Sequence, residues 1–210
     1  MSTDRRDPPR SGAAQDDDQR AKLLHEAAHL FRTEGYAGAS MRSLSERIGI
    51  QKASLYHYVE SKEDLLYALC RDGWLSLFAA VKAATADHVG LAALRSAVRA
   101  HLRVNIENRD VYVTMLTEAK YLSRARRGEM ARRRTEYWNY FVELITQAQD
   151  SRELRSDISA DDLMYVLRNT LGWTVIAYAP DDRRDVEGIV DLILCVFEQG
   201  AAYRAGGARK

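Results

Sequence analysis

The chain has 210 residues, 31 Lys and Arg against 30 Asp and Glu, a net charge of +1 and two cysteines. That length can bury a substantial core, either as one domain or as a small domain on a larger one. The balance of charge excludes a strongly basic coat but leaves room for a local basic footprint, and two isolated cysteines exclude a disulfide-stapled scaffold.

Residues 1–18 are rich in Asp, Arg, Pro, Ser and Gly and nearly empty of large apolar side chains. Such a segment cannot bury enough surface to order itself, and a disordered arm is expected. A solvated tail is the plainer reading. A minor-groove arm using Arg5, Arg6 and Arg10 is the other. From Gln19 the pattern is helical throughout. Leu23, Leu24, Ala27, Ala28 and Phe31 form an apolar stripe that ends at Gly35. Ser40 caps a short helix with apolar Leu44 and Ile48, and Gly49 supplies a left-handed turn. A second short helix is expected from about Gln51 to Tyr58. Ser61 and Asp64 form a capping box that opens a helix running past Trp74 and Phe78. Further helices fit 91–108, 111–122, 126–150, 160–178 and 186–203. No β-type alternation and no fixed repeat intervenes. The fold class is all-α, with about nine helices.

Two short helices joined by a Gly turn make a helix-turn-helix, whose second helix fits the DNA major groove. Here that helix carries Gln51, Lys52, Ser54, Tyr56, His57 and Tyr58, donors and aromatic hydroxyls suited to phosphates and base edges. The run from Ala27-Ala28-His29-Leu30-Phe31 through Gly35-Tyr36, Ser40-Met41-Arg42, Gly49-Ile50 and Leu55-Tyr56-His57-Tyr58-Val59 to Ser61-Lys62-Glu63-Asp64-Leu65 resembles the TetR family of bacterial repressors. Val59 stands where Phe is commoner in that family, and Lys52-Ala53 where small residues are frequent.

The resemblance implies a DNA-binding unit at 19–65 and a ligand-binding and dimerisation unit at 66–205. It also implies a homodimer on a pseudo-palindromic double-stranded operator and release by a small-molecule effector. The last two long helices would form an intersubunit bundle, as suits a final helix apolar on several sides. Base reading falls to Arg42, Gln51, Lys52 and Tyr56. Phosphate contacts fall to Ser40, Ser54, His57, Tyr58 and Lys62. Ser40 and Ser54 also read as caps or packing residues.

Tyr112, Met115, Tyr121, Arg124, Trp138, Asn169 and Trp173 are the candidate ligand-binding residues, because aromatics and Met dominate small-molecule pockets. Glu118 to Arg124 and Asn169 to Thr174 are similar to regulators of lipid or sterol breakdown that sense acyl-CoA thioesters. The arginines at 124, 126, 127, 132, 133 and 134 read as a solvated helix face or as a mouth for ligand phosphates.

His25-Glu26-Ala27-Ala28-His29 matches the H-E-x-x-H zinc pattern, but no third ligand follows at a recognisable spacing. Surface histidines are expected there. Cys70 and Cys195 are expected to be buried, reduced thiols of a cytoplasmic protein. No apolar leader and no run approaching the ~20 residues of a bilayer span occurs, so no membrane partner is expected. Nor is any cofactor, metal or catalytic residue. The alternatives are an enzyme on the same helical cavity and a DNA-binding protein that answers to no ligand.

Overall fold

The computed structural model describes residues 12–178 and 185–202. Among these the regular structure is nine α-helices and one 3-10 turn. An isolated bridge between Leu154 and Ala202 is the sole β pairing among the described residues. The expected arm at 1–11, the break at 180–182 and the terminal residues from 203 lie outside them.

Helix α1 (Gly12–Gly38) starts earlier than expected, so residues 12–18 belong to it and not to the arm. A helix extends cheaply once nucleated, and Ala and Gln in this stretch favour extension. Gly35 breaks α1 with φ 71° and ψ 155°, a conformation open to glycine. Helix α2 (Met41–Ile48) is capped reciprocally. Ser43 N–H donates to Ser40 Oγ at 2.9 Å, and Ser40 N–H donates to Ser43 Oγ at 3.1 Å. Gly49, φ 78°, ends it. Helix α3 (Lys52–Leu55) is a single turn, shorter than expected. His57 and Tyr58 donate to the carbonyls of Ser54 and Leu55, three residues back, so the chain tightens out of the α-helix there.

Helix α4 (Lys62–Thr85) is capped by Ser61, whose Oγ accepts from Asp64 N–H at 3.1 Å. It runs unbroken through the boundary expected at 65/66, with Leu65, Leu66, Leu77 and Val81 fully buried. Helix α5 (Gly90–Glu107) crosses the middle of the larger unit and packs against α4, α7 and α9. Helix α6 (Arg109–Thr117) stops short of Leu122, and the 3-10 turn Ala119–Tyr121 follows. The chain then extends at Leu122 and buries it. Helix α7 (Arg124–Asp150) is the long central helix, and α8 (Ala160–Ala177) and α9 (Val186–Ala201) close the bundle.

Three arginines spaced four apart on α5 meet acidic residues of the antiparallel α9. Arg95 pairs with Glu198, Arg99 with Asp191 and Arg103 with Glu187. Exposed pairs of this kind stabilise little individually but fix the register of two helices. Helix α9 is two-sided: Val190, Leu194 and Phe197 are buried, while Leu192 and Val196 are exposed. Cys70 is buried as expected. Cys195 is not: it lies on the exposed side of α9.

Candidate DNA interface and effector cavity

Leu44, Ile48 and Leu55 sit in the common core with Leu23, Leu30 and Phe31, which fixes the opposite faces of α2 and α3 toward solvent. Arg42, Gln51, Tyr56 and His57 are exposed on this surface, and Ser54 and Tyr58 are half-buried. Lys52 opens α3. Tyr56 is 45% exposed, and Arg42 rests against Glu46 at 2.9 Å, a pair one turn apart that DNA phosphates can replace. Ser40 serves as the cap of α2.

Lys62, expected at the phosphates, has partners within the protein. Its Nζ donates to the Ala39 carbonyl and lies 4.3 Å from the Tyr36 ring centre. Burial lowers its pKa. The amine therefore staples the start of α4 to the end of α1.

A cavity of about 370 Å³ opens between α1, α4, α5 and α6. Its wall includes His25, Leu69, Gly73, Asn105, Tyr112 and Met115. Tyr112 and Met115, two of the candidate ligand residues, are thus brought together. The other five candidates are not with them. Trp138 is buried in an aromatic core, its ring 5.3 Å from that of His101. Tyr121 is 5.0 Å from Tyr36, ring stacked on ring. Arg124 is exposed at the start of α7. Asn169 and Trp173 are exposed on α8, opposite the buried stripe Leu163, Leu167, Leu171 and Val175. Both faces of α8 are rich in large side chains, so composition alone does not tell which face turns inward.

Sequence reasoning missed a buried polar chain beside the cavity. His101 is fully buried, with Nδ1 2.7 Å from Tyr137 Oη and Nε2 3.3 Å from Asn105 Nδ2. Asn105 is itself part of the cavity wall. Burial pushes the His101 pKa down to about 3 and the Tyr112 pKa up to about 12. A neutral imidazole then accepts from one neighbour and donates to the other. The one available signal was spacing, since His101 and Asn105 continue the inward stripe of Leu94, Ala97 and Val98.

The zinc-like pair separates. His29 is half-buried, not a plain surface residue, with Nδ1 2.7 Å from Asp110, which Arg32 also holds. Burial raises the Asp110 pKa, but the hydrogen bonds from His29 and Arg32 outweigh it and the net shift is downward. No group of three or more His, Cys, Asp or Glu side chains that could hold a metal occurs among the described residues. No helix among them is long and apolar enough to cross a membrane.

The smaller unit and the larger one are joined chiefly at α6 and the turn that follows it. Thr114 Oγ1 donates to the Ala28 carbonyl at 3.1 Å, and Tyr36 N–H donates to Glu118 Oε2 at 2.9 Å. Arg126 of α7 pairs with Glu63 and Asp64 in the first turn of α4, and Ser123 N–H donates to Glu63 at 2.9 Å.

A helix-turn-helix unit bolted to a helical cavity domain defines a class of ligand-gated DNA-binding proteins. The chain matches the bacterial regulatory protein family tetR over residues 23–69 and the tetracyclin repressor-like C-terminal domain over residues 89–200. It belongs to the TetR family of transcriptional regulators. A relative is the HTH-type transcriptional repressor KstR2 of Rhodococcus jostii, 24% identical over 197 residues, 93% of this chain and 97% of that protein. Among solved structures, the TetR family regulator PfmR of Thermus thermophilus superposes with a TM-score of 0.79 at 27% identity, covering 85% of this chain and 97% of that one. AibR, solved with isovaleryl coenzyme A and operator DNA, superposes with a TM-score of 0.77 at 23% identity over 85% of this chain and 97% of its own.

Proposed function

We propose that the protein is a homodimeric repressor, not an enzyme, that occupies a pseudo-palindromic operator in the cytoplasm and leaves it when a small apolar or amphipathic effector, an acyl-CoA in our reading, fills the cavity. One observation carries this: α6 supplies Tyr112 and Met115 to the cavity, and α6 with its following turn also holds the helix-turn-helix unit through Thr114 and Glu118. A ligand that prefers one position of α6 therefore has leverage on the recognition surface, limited by its differential affinity for the two positions. The acyl-CoA bound by AibR supports that effector class.

Dimerisation is supported by Val166, Leu192 and Val196, large apolar residues that share an exposed groove between α8 and α9, with Tyr165 and Trp173 also exposed on α8. Solitary exposed residues are ordinary, but a contiguous patch on two adjacent helices marks an interface. A C2 pair through this face would present two recognition units to successive major grooves. Base contacts fall to Arg42, Gln51, Lys52 and Tyr56, with Ser54, His57 and Tyr58 toward the phosphates.

The test starts with selection of tight-binding DNA from a random pool by the full chain. Fluorescence anisotropy of the selected site follows, with and without octanoyl-CoA. Release of the site by the thioester is the expected result. Retention of the site with every acyl-CoA tried would remove the effector from this reading, and a monomer on the selected site would remove the dimer.

A further inference from the structure

The arginines at the start of α7 are divided by their partners. Arg126 is paired with Glu63 and Asp64, and its guanidinium carbon lies 4.7 Å from the Tyr67 ring centre. Arg133 is paired with Glu129 at 2.8 Å. Arg127 Nη1 donates to the Lys120 and Leu122 carbonyls at 3.0 and 2.8 Å, which holds the guanidinium still and leaves its charge unneutralised. Arg134 has no ion pair among the described residues. Arg127 and Arg134 share a cleft of about 240 Å³ with Lys120, between α4, α6 and α7. Its floor is apolar, made by the buried side chains of Trp74, Met115 and Met130. None of the residues lining it is acidic. Three cations over an apolar floor with no local counter-charge form a site for an anion attached to an apolar body.

Met115 belongs to both spaces. It lines both this cleft and the larger cavity between α1, α4, α5 and α6, so its side chain stands where the two adjoin. That side chain rests on Gly73 of α4, where an added Cβ would collide with the Met115 sulfur. An unbranched thioether is a side chain well suited to swing aside.

We propose that the cleft is the anion subsite of the effector: Lys120, Arg127 and Arg134 hold its phosphate-bearing or carboxylate end, and its apolar tail crosses Trp74 and displaces Met115 to reach the adjoining cavity. This rests on the effector reading given under Proposed function and adds the route and the headgroup chemistry. The ligand class is an amphipathic anion with a linear tail. The arginine at 124, outside the cleft, has no part in it.

Isothermal titration calorimetry on the full chain tests this, with octanoyl-CoA, octanoyl-pantetheine and octanoate as probes. Arg134→Glu and Lys120→Glu should each weaken octanoyl-CoA by about tenfold or more and leave the phosphate-free pantetheine thioester within about twofold. Arg132→Glu makes the same change of charge on the same helix but faces a different groove, with Phe78 and Tyr140, and should leave both unchanged. Met115→Ala should raise affinity for octanoyl-CoA more than for acetyl-CoA, with the thermal midpoint followed to establish folding. A loss confined to octanoate would keep the anion subsite and assign it a carboxylate. Equal effects of Arg134→Glu and Arg132→Glu, with octanoyl-CoA still bound and still releasing DNA, would overturn the subsite and leave the repressor reading standing. If neither octanoyl-CoA nor octanoate binds the unaltered protein, the effector class itself falls.

Discussion

The backbone N–H of Tyr36 donates to the carboxylate of Glu118 at 2.9 Å, across 82 residues of sequence. Tyr36 follows the break at Gly35, where α1 turns toward α2, and Glu118 follows the last residue of α6. Only 9% of Glu118 is exposed, so this carboxylate is largely withdrawn from water and needs its partner. The Tyr36 ring is stacked on Tyr121 on one hand and approached by the Lys62 amine on the other. One residue thus joins the end of α1, the start of α4 and the turn after α6. The end of the helix that leads into the helix-turn-helix unit and the helix that walls the cavity meet in a single small cluster.

Glu118→Ala leaves the Tyr36 N–H without its acceptor. The expected loss of stability is about 1 kcal/mol, the scale for one hydrogen bond at a half-buried donor. The more telling measurement is coupling. The variant should still bind octanoyl-CoA, yet the concentration needed to release the selected DNA site should rise. Release at the wild-type concentration would show that Glu118 carries no coupling.

Lys62→Met separates a structural amine from a DNA-contacting one. A lysine that displaces a phosphate counterion changes the logarithmic salt dependence of operator affinity by about one unit when removed. Lys62 is engaged with Ala39 and Tyr36, so its loss should lower the thermal midpoint and leave the salt slope unchanged. Arg42→Ala should weaken operator binding and leave the thermal midpoint unchanged, because that side chain is exposed and held only by the Glu46 pair one turn away. A flattened slope for Lys62→Met with unaltered melting would return Lys62 to the phosphate contacts.

Tyr56→Ala bears on base reading. Tyr56 follows the buried Leu55 and is 45% exposed in the turn that ends α3. Its ring can meet a thymine methyl and its hydroxyl a phosphate. Tyr56→Phe should weaken operator binding by about 1 kcal/mol, and Tyr56→Ala by more. Melting should not move. An early-melting Tyr56→Ala would mark the ring as a packing element of the small unit.

The features legible in the sequence are those whose cause is local. Ser40 capping α2, Gly49 ending it and Ser61 opening α4 each depend on residues within one turn. The length of α3 is not legible in this way, because Tyr56, His57 and Tyr58 carry no turn signal. Their departure from the helix is seen only in hydrogen bonds to carbonyls three residues back. The ligand candidates divide because Asn169 and Trp173 share α8 with an equally large apolar stripe, and the side that turns inward is set by α5, α6 and α7. His101 and Glu118 escape a reading of the sequence because a buried polar residue is recognised by its partners, and Tyr137 and Tyr36 lie far away along the chain. Asp110 escapes for the same reason, since its partners His29 and Arg32 lie about eighty residues upstream.

His101 makes stability depend on pH in a window of its own. Its folded pKa is about 3, against an ordinary value of 6.5, because protonation would place a charge in a fully buried ring. The unfolded chain therefore binds a proton between pH 6.5 and 3 that the folded chain refuses. Stability is undiminished above pH 6.5 and falls as pH drops through that range, by at most about 1.4 kcal/mol per unit for one such group. Asp110, Glu63 and Asp64 add a loss of the same sign, but it begins lower, because their ordinary values are 3.8 to 4.5. Urea unfolding between about pH 5 and 6.5 accordingly isolates the histidine. The wild-type protein should lose stability across that interval. His101→Gln keeps a polar side chain beside Tyr137 and Asn105 without a titrating ring, and should flatten the dependence there while costing stability at neutral pH. A His101→Gln curve parallel to that of the wild type would assign the slope to another group.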